Sequence, residues 1–133
     1  MVVEINRPKA LNALNLDVVD CMNNNLTEWS MDESGISCFV LKGVGEKAFC
    51  AGGDVKAIWQ AEDPLDFAKS FFSNEYRMNY SMHMSSIPQI SLWNGVVMGG
   101  GVGISIFGKF RVCTEKTIFE LVSRSRAVHH EPL

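Results

Sequence analysis

The sequence predicts an α/β domain built on parallel strands, and three features carry that prediction. Strand-like and helix-like stretches alternate, beginning strand, helix, strand, the order of a βαβ unit, which is normally parallel and right-handed. The second strand, Ile36 to Leu41, is apolar at nearly every position, as expected of a strand covered on both faces. Two glycine-rich turns, Phe49-Cys50-Ala51-Gly52-Gly53-Asp54 and Asn94-Gly95-Val96-Val97-Met98-Gly99-Gly100-Gly101, each follow an apolar run and lead into a helical stretch.

Met1 to Asn6 reads as the first strand, stopped by Arg7-Pro8. Asn15 is a good helix N-cap with Asp17 in the first turn. Val18, Cys21, Met22, Leu26 and Trp29 then recur at helical spacing, which predicts a helix over about residues 16–30. After the second strand, Lys42 to Lys47 reads as a loop into the first glycine turn. A short helix follows from Val55 to about Gln60. Asp63-Pro64 opens a longer one, since proline is favoured in the first helical turn. Leu65, Ala68, Phe71, Phe72, Met78 and Met82 give that helix an apolar stripe, and Ser86-Ile87-Pro88 ends it. Ile90 to Trp93 reads as a strand continuing through Val96-Val97. Val102 to Phe107 reads as a short buried helix, and Phe110 to Cys113 and Thr117 to Phe119 as short strands.

A chain of 133 residues is one domain's worth, and 47% hydrophobic with 20% charged is ordinary globular composition. A net charge of −3 without a basic run argues against nucleic acid as a partner. No apolar run approaches the ~20 residues that span a bilayer, so no membrane partner is expected, and the strand-like start shows no targeting segment. Cys21, Cys38, Cys50 and Cys113 form no Cys-x-x-Cys pair; three lie in apolar surroundings, which fits buried thiols in a reducing compartment. Cys50 has no histidine near it in sequence and reads as a small packing residue. His83, at the end of the long helix, reads as a surface or capping residue. His129-His130-Glu131 reads as a solvated tail, with no metal expected.

A glycine directly after a strand lets the backbone bring its N–H groups close to a ligand, and the helix behind it points its positive end at the same spot. Two such turns brought together give two convergent backbone donors, an arrangement suited to a carbonyl oxygen becoming an oxyanion. Neither turn has the spacing of a dinucleotide or P-loop motif.

The words around these turns, Asn6-Arg7-Pro8-Lys9-Ala10-Leu11-Asn12-Ala13-Leu14, Lys47 to Asp54, and Asn94 to Gly101, resemble the crotonase (enoyl-CoA hydratase/isomerase) superfamily. Glu75-Tyr76 ahead of Met78-Asn79, Met98 to Ser105, Phe110-Arg111-Val112 and Thr114-Glu115-Lys116 are similar to its 3-hydroxyisobutyryl-CoA hydrolase branch. The resemblance runs from Met1 to about Phe119. It implies the N-terminal part of a crotonase-like ββα spiral over 1–119, with a divergent tail at 120–133. The activity it implies is hydrolysis of an acyl-CoA thioester in valine catabolism, with CoA part of the substrate and no separate cofactor. Hydratase or isomerase activity and a non-catalytic acyl-CoA- or partner-binding fragment are the alternatives. The implied oxyanion donors are the backbone N–H groups of Gly53 and Gly100, and the implied substrate contacts are Ala51, Asp54, Glu75 and Gly100. Asp54 also reads as the N-cap of the helix beginning at Val55, and Lys42, Lys47 and Lys56 as candidates for the CoA phosphates.

Gly103 stands where hydratases of the superfamily carry a catalytic glutamate. The hydrolase branch instead takes its glutamate from a Met-Pro-Glu word, which here falls on Ser123, and a later aspartate has no counterpart. Glu120 is three residues short of that position, about 10 Å of extended chain. The resemblance further implies a mitochondrial location, with peroxisome or cytoplasm as alternatives, and a homo-oligomer.

Overall fold

The computed structural model describes residues 1–29 and 35–120. The chain runs β1 (Val2–Ile5), a 3-10 turn (Pro8–Ala10), α1 (Leu16–Trp29), β2 (Phe39–Gly43), β3 (Ala48–Cys50), α2 (Val55–Gln60) and α3 (Pro64–Met84). It continues through β4 (Gln89–Trp93), β5 (Val96–Met98), α4 (Gly100–Ile106), β6 (Phe110–Cys113) and β7 (Ile118–Glu120). From β2 onward successive strands alternate between two parallel sheets, one in the order β1-β2-β4-β6 and the other β3-β5-β7. Strand, strand, helix is therefore the repeating turn, and each turn adds one strand to each sheet: the ββα spiral expected above.

Alternation along the strands decides which face is covered. In β2 and β4 the positions Phe39, Leu41, Gln89, Ser91 and Trp93 are buried, while Val40, Lys42, Ile90 and Leu92 are half-exposed on the other face. The buried face meets Val19, Met22 and Leu26 of α1 and Phe71, Met78 and Met82 of α3, and these residues form one apolar core with Phe49, Cys50 and Val97. The helix ends follow their sequence signals. Asn15 Oδ1 accepts from Val18 N at 3.1 Å, and Asp63 Oδ1 accepts from Leu65 N and Asp66 N, with Pro64 behind it.

Three expectations are corrected. The second strand is shifted toward the C-terminus, because pairing with β1 (Val2↔Val40 through Ile5↔Gly43) and β4 extends through Lys42. The strand that enters the first glycine turn is β3, inside the stretch read as following a loop; three residues suffice because β5 supplies the partner, Ala48↔Val96 and Cys50↔Val97. Ile90 to Val97 is not one strand: Asn94-Gly95, with Gly95 at φ +75°, sends β4 and β5 into different sheets.

The cysteines are corrected too. Among the four only Cys50 is buried; Cys21 and Cys113 are exposed and Cys38 intermediate. Burial pushes the Cys50 thiol up to about 12, so it is neither acid, base nor nucleophile at neutral pH. His83 is exposed and lies against Phe107, ring centroids 4.9 Å apart. No helix among the described residues is long and apolar enough to cross a membrane. Ser123 and His129-His130-Glu131 lie outside the described residues.

Candidate functional site

The two glycine turns meet because β3 and β5 are neighbours in one sheet and both turns leave from their C-terminal ends. Gly52 (φ +104°) and Gly99 (φ +47°) occupy backbone regions that side chains rarely adopt, and these bends let the segments close on each other. A Cβ on Gly52 would sit 3.4 Å from Gly100 N, and one on Gly100 would sit 3.4 Å from Gly53 N. The sequence-predicted pair, Gly53 and Gly100, is thus brought together across 47 residues of chain.

The direction of the Gly53 amide follows from its backbone pairing. Leu14 forms a parallel bridge with Gly53, in which Leu14 N donates to Gly52 O at 2.7 Å and Asp54 N donates to Leu14 O at 2.8 Å. Successive N–H groups of an extended segment alternate sides, so with residues 52 and 54 turned to Leu14, the Gly53 N–H faces the other way. It has no acceptor among the described residues. Gly100 N, at the first position of α4 behind N-cap Gly99, is one of the donors a helix start leaves unused. Two N–H donors are available here to an acceptor brought by a ligand.

One face of α3 lies along these glycines. Phe71 approaches Gly53, its ring 3.1 Å from where a Cβ would sit. Glu75 Oε1 occupies the space a Cβ on Gly100 would need, and Asn79 Nδ2 lies 2.9 Å from that of Gly103. A glutamate side chain at 103 would therefore have to displace Asn79. Glu75 is 5% exposed, not the surface carboxylate that a polar helix face suggests, and burial raises its pKa above the ordinary value of 4.5. The Asn79 amide carries a buried oxygen, Oδ1, with no hydrogen-bond partner among the described residues. Neither Phe71 nor Asn79 was flagged by the sequence as a site residue; their only signal is spacing of four from Glu75 on one helix face.

Asp54 does two things at once. Its Oδ1 caps α2 by accepting from Ala57 N at 3.1 Å, as the sequence suggested, and its Oδ2 accepts from Arg7 Nη2 at 2.9 Å. The Arg7 guanidinium holds the Asp54 carboxyl below its usual range. Ala51, half-buried, donates its N–H to Leu11 O at 3.1 Å. Of the lysines near the first turn, Lys42 is paired with Glu4 at 2.8 Å, on the outer face of the larger sheet, while Lys47 and Lys56 are exposed. Among the described residues no group of three or more His, Cys, Asp or Glu side chains is placed to hold a metal ion.

The sequence profile of the enoyl-CoA hydratase/isomerase family matches residues 1–121. The chain belongs to the enoyl-CoA hydratase/isomerase family. Curated relatives include the mitochondrial 3-hydroxyisobutyryl-CoA hydrolase of Dictyostelium discoideum, 44% identical over 127 residues, 90% of this chain and 33% of that protein. The protein of the same name from Danio rerio is 46% identical over 121 residues, 90% of this chain and 31% of that one. The chain thus spans about a third of the length of the curated relatives it matches. Among solved family members, a carnitinyl-CoA dehydratase from Mycobacterium thermoresistibile superposes with a TM-score of 0.84 at 39% identity, covering 90% of this chain and 35% of that one. An enoyl-CoA hydratase from Rhodobacter sphaeroides gives 0.82 at 31% identity, covering 90% and 36%. The crotonase fold of this family accounts for both parallel sheets and the meeting of the two turns.

Proposed function

We propose that this chain carries the carbonyl-binding half of an acyl-CoA thioester hydrolase acting on 3-hydroxyisobutyryl-CoA in valine catabolism, in the mitochondrion. The observation that carries this reading is the pair of amides at Gly53 and Gly100 that have no partner among the described residues, one sidelined by the Leu14 bridge and the other at the start of α4. The relatives bearing that enzyme name, all mitochondrial, support the substrate and the compartment.

In this mechanism the thioester carbonyl oxygen accepts from both N–H groups, which draws charge onto oxygen and opens the carbon to attack by water. Collapse of the tetrahedral intermediate expels CoA thiolate and leaves the free acid. A donor of this kind contributes on the order of a hundredfold or more in rate. Glu75, beside Gly100, contacts the acyl group. With the family's glutamate position at Ser123, transfer of the water proton needs a titrating group within hydrogen-bond reach, and the Asp54 carboxylate is already engaged by Arg7 and α2. That supports a second reading, in which the chain binds acyl-CoA without turning it over. Hydratase or isomerase chemistry is disfavoured by Gly103, where Asn79 fills the space.

Thioesterase assays on the purified chain with 3-hydroxyisobutyryl-CoA, alongside equilibrium binding of the same thioester, test both readings. Turnover above background supports the hydrolase, and binding without turnover supports the binder. Gly100→Ala forces a methyl group onto Glu75 Oε1 and is expected to reduce turnover by about a hundredfold. A native chain showing neither signal sinks both readings.

A further inference from the structure

We propose that Arg7 is a positioning residue for the Gly53 amide, its guanidinium clamping the two chain segments whose pairing turns that N–H toward Gly100. This rests on the reading that the Gly53 and Gly100 amides hold the thioester carbonyl.

The orientation of Gly53 depends on Leu14 bonding to both of its neighbours. Leu14 reaches that register at the end of a loop with an unfavourable path: Leu11 and Asn12 have φ of 50° and 55°, left-handed values that cost energy for residues with side chains and persist only where surrounding contacts impose them. Asn12 supplies some of those contacts. It is 1% exposed, its Oδ1 accepts from Arg7 N at 2.9 Å, and its Nδ2 donates to Val44 O at 3.0 Å and Ala48 O at 2.7 Å.

Arg7 supplies the rest. Nη1 donates to Ala13 O at 2.5 Å, one residue before Leu14, and Nη2 donates to Asp54 Oδ2, one residue after Gly53. The fork therefore grips both strands of the bridge at adjoining positions and stops one from sliding past the other. Because Asp54 Oδ1 is bound to the first turn of α2, the same grip fixes the helix that follows. A lysine, with a single ammonium, does not reproduce the planar fork that serves both acceptors. Oxyanion donors act only within a narrow distance range, about 2.7–3.1 Å, so a small slip of residues 51–54 is enough to disengage Gly53 while the fold survives.

The test uses the whole 133-residue chain and a chromophoric acyl-CoA thioester whose absorbance moves to the red when its carbonyl is polarised. Arg7→Lys, Arg7→Met and Asp54→Asn are compared with the native chain for red shift, thioester affinity and melting temperature. Arg7→Lys and Arg7→Met are expected to lose most of the red shift while retaining thioester binding, with Asp54→Asn losing less because asparagine still caps α2. An undiminished red shift in folded Arg7→Lys and Arg7→Met overturns the proposal. Amide NMR on the unliganded chain decides the point independently: Arg7→Lys is expected to move the Gly53 N–H resonance and speed its exchange, leaving Gly101 and Val102 unchanged. Equal changes at all of these amides assign Arg7 a general structural role and overturn the proposal. Should the native chain bind the thioester with no red shift, the carbonyl-binding reading fails, and the NMR comparison still decides whether Arg7 orients Gly53.

Discussion

Glu75 shows how far a single residue's surroundings can depart from its place on a helical wheel. The residue sits between Asn74 and Tyr76 on a helix with a mixed face, yet its carboxylate is buried against Gly100. Burial penalises the charged form, so the folded chain keeps this proton to higher pH than the unfolded chain does. Folding then takes up a proton between the two values. The associated stability is fully present below the unfolded value, about 4.5, and is lost as pH rises through the folded one. Glu75→Gln, which keeps the shape and cannot ionise, is expected to melt higher than the native chain at pH 7 and to lose that advantage toward pH 4. Thermal melts of both chains across this range check it; a difference in melting temperature that does not vary with pH contradicts it. Asp54 behaves in the opposite sense: its lowered pKa, set first by Arg7, contributes stability that disappears in acid.

At the scale of elements, α3 does most to shape the site. Its 21 residues bury Phe71, Glu75, Met78 and Met82 on one stripe, so the same face that closes the core also brings Phe71, Glu75 and Asn79 against the glycines of the two turns. Its N-terminus is held by Asp63 and Pro64, far along the helix from Glu75. Asp63→Ala removes a cap accepted from two backbone amides and is expected to cost about 1 kcal/mol of stability, while thioester affinity stays as it was. Urea unfolding with a parallel binding titration measures both. A loss of affinity with unchanged stability tells against this division of labour.

For the whole molecule, the outstanding feature is the edge strands of the growing spiral. β6 and β7 are exposed along their length, and Phe110, Val112, Ile118 and Phe119 are each about half exposed. Among the described residues each of these strands ends its sheet with one edge unpaired, and such edges with apolar side chains recruit further chain. The isolated polypeptide is expected to sediment as a species larger than its 14.8 kDa monomer. Phe110→Lys with Ile118→Lys, placing a charge on each edge, is expected to shift it toward the monomer. A native chain that sediments as a monomer contradicts this.

Much of this was legible in the sequence. Asn15, Asp54 and Asp63 mark helix starts by local chemistry, and the apolar periodicity of α1 and α3 picks out part of the side each helix buries: Met22, Leu26, Phe71, Met78 and Met82 are buried, whereas Cys21, Leu65 and Phe72 of the expected stripes are exposed. The two glycine words located the Gly53–Gly100 pair through resemblance. Four things escaped local reading: β3 as a strand, the division of β4 from β5, the burial of Glu75 and the tie from Arg7 to Asp54. Each depends on partners 20 or more residues away in sequence, whose positions exist only once the sheets have formed. By itself, then, the sequence determined the class of fold, the starts of α1, α2 and α3 and the identity of the two turns, while α4 begins at Gly100, two residues before the expected Val102. Tertiary structure alone decided which way the Gly53 amide points, because that direction is set by pairing between Leu14 and residues 52–54, not by any preference of the glycine itself.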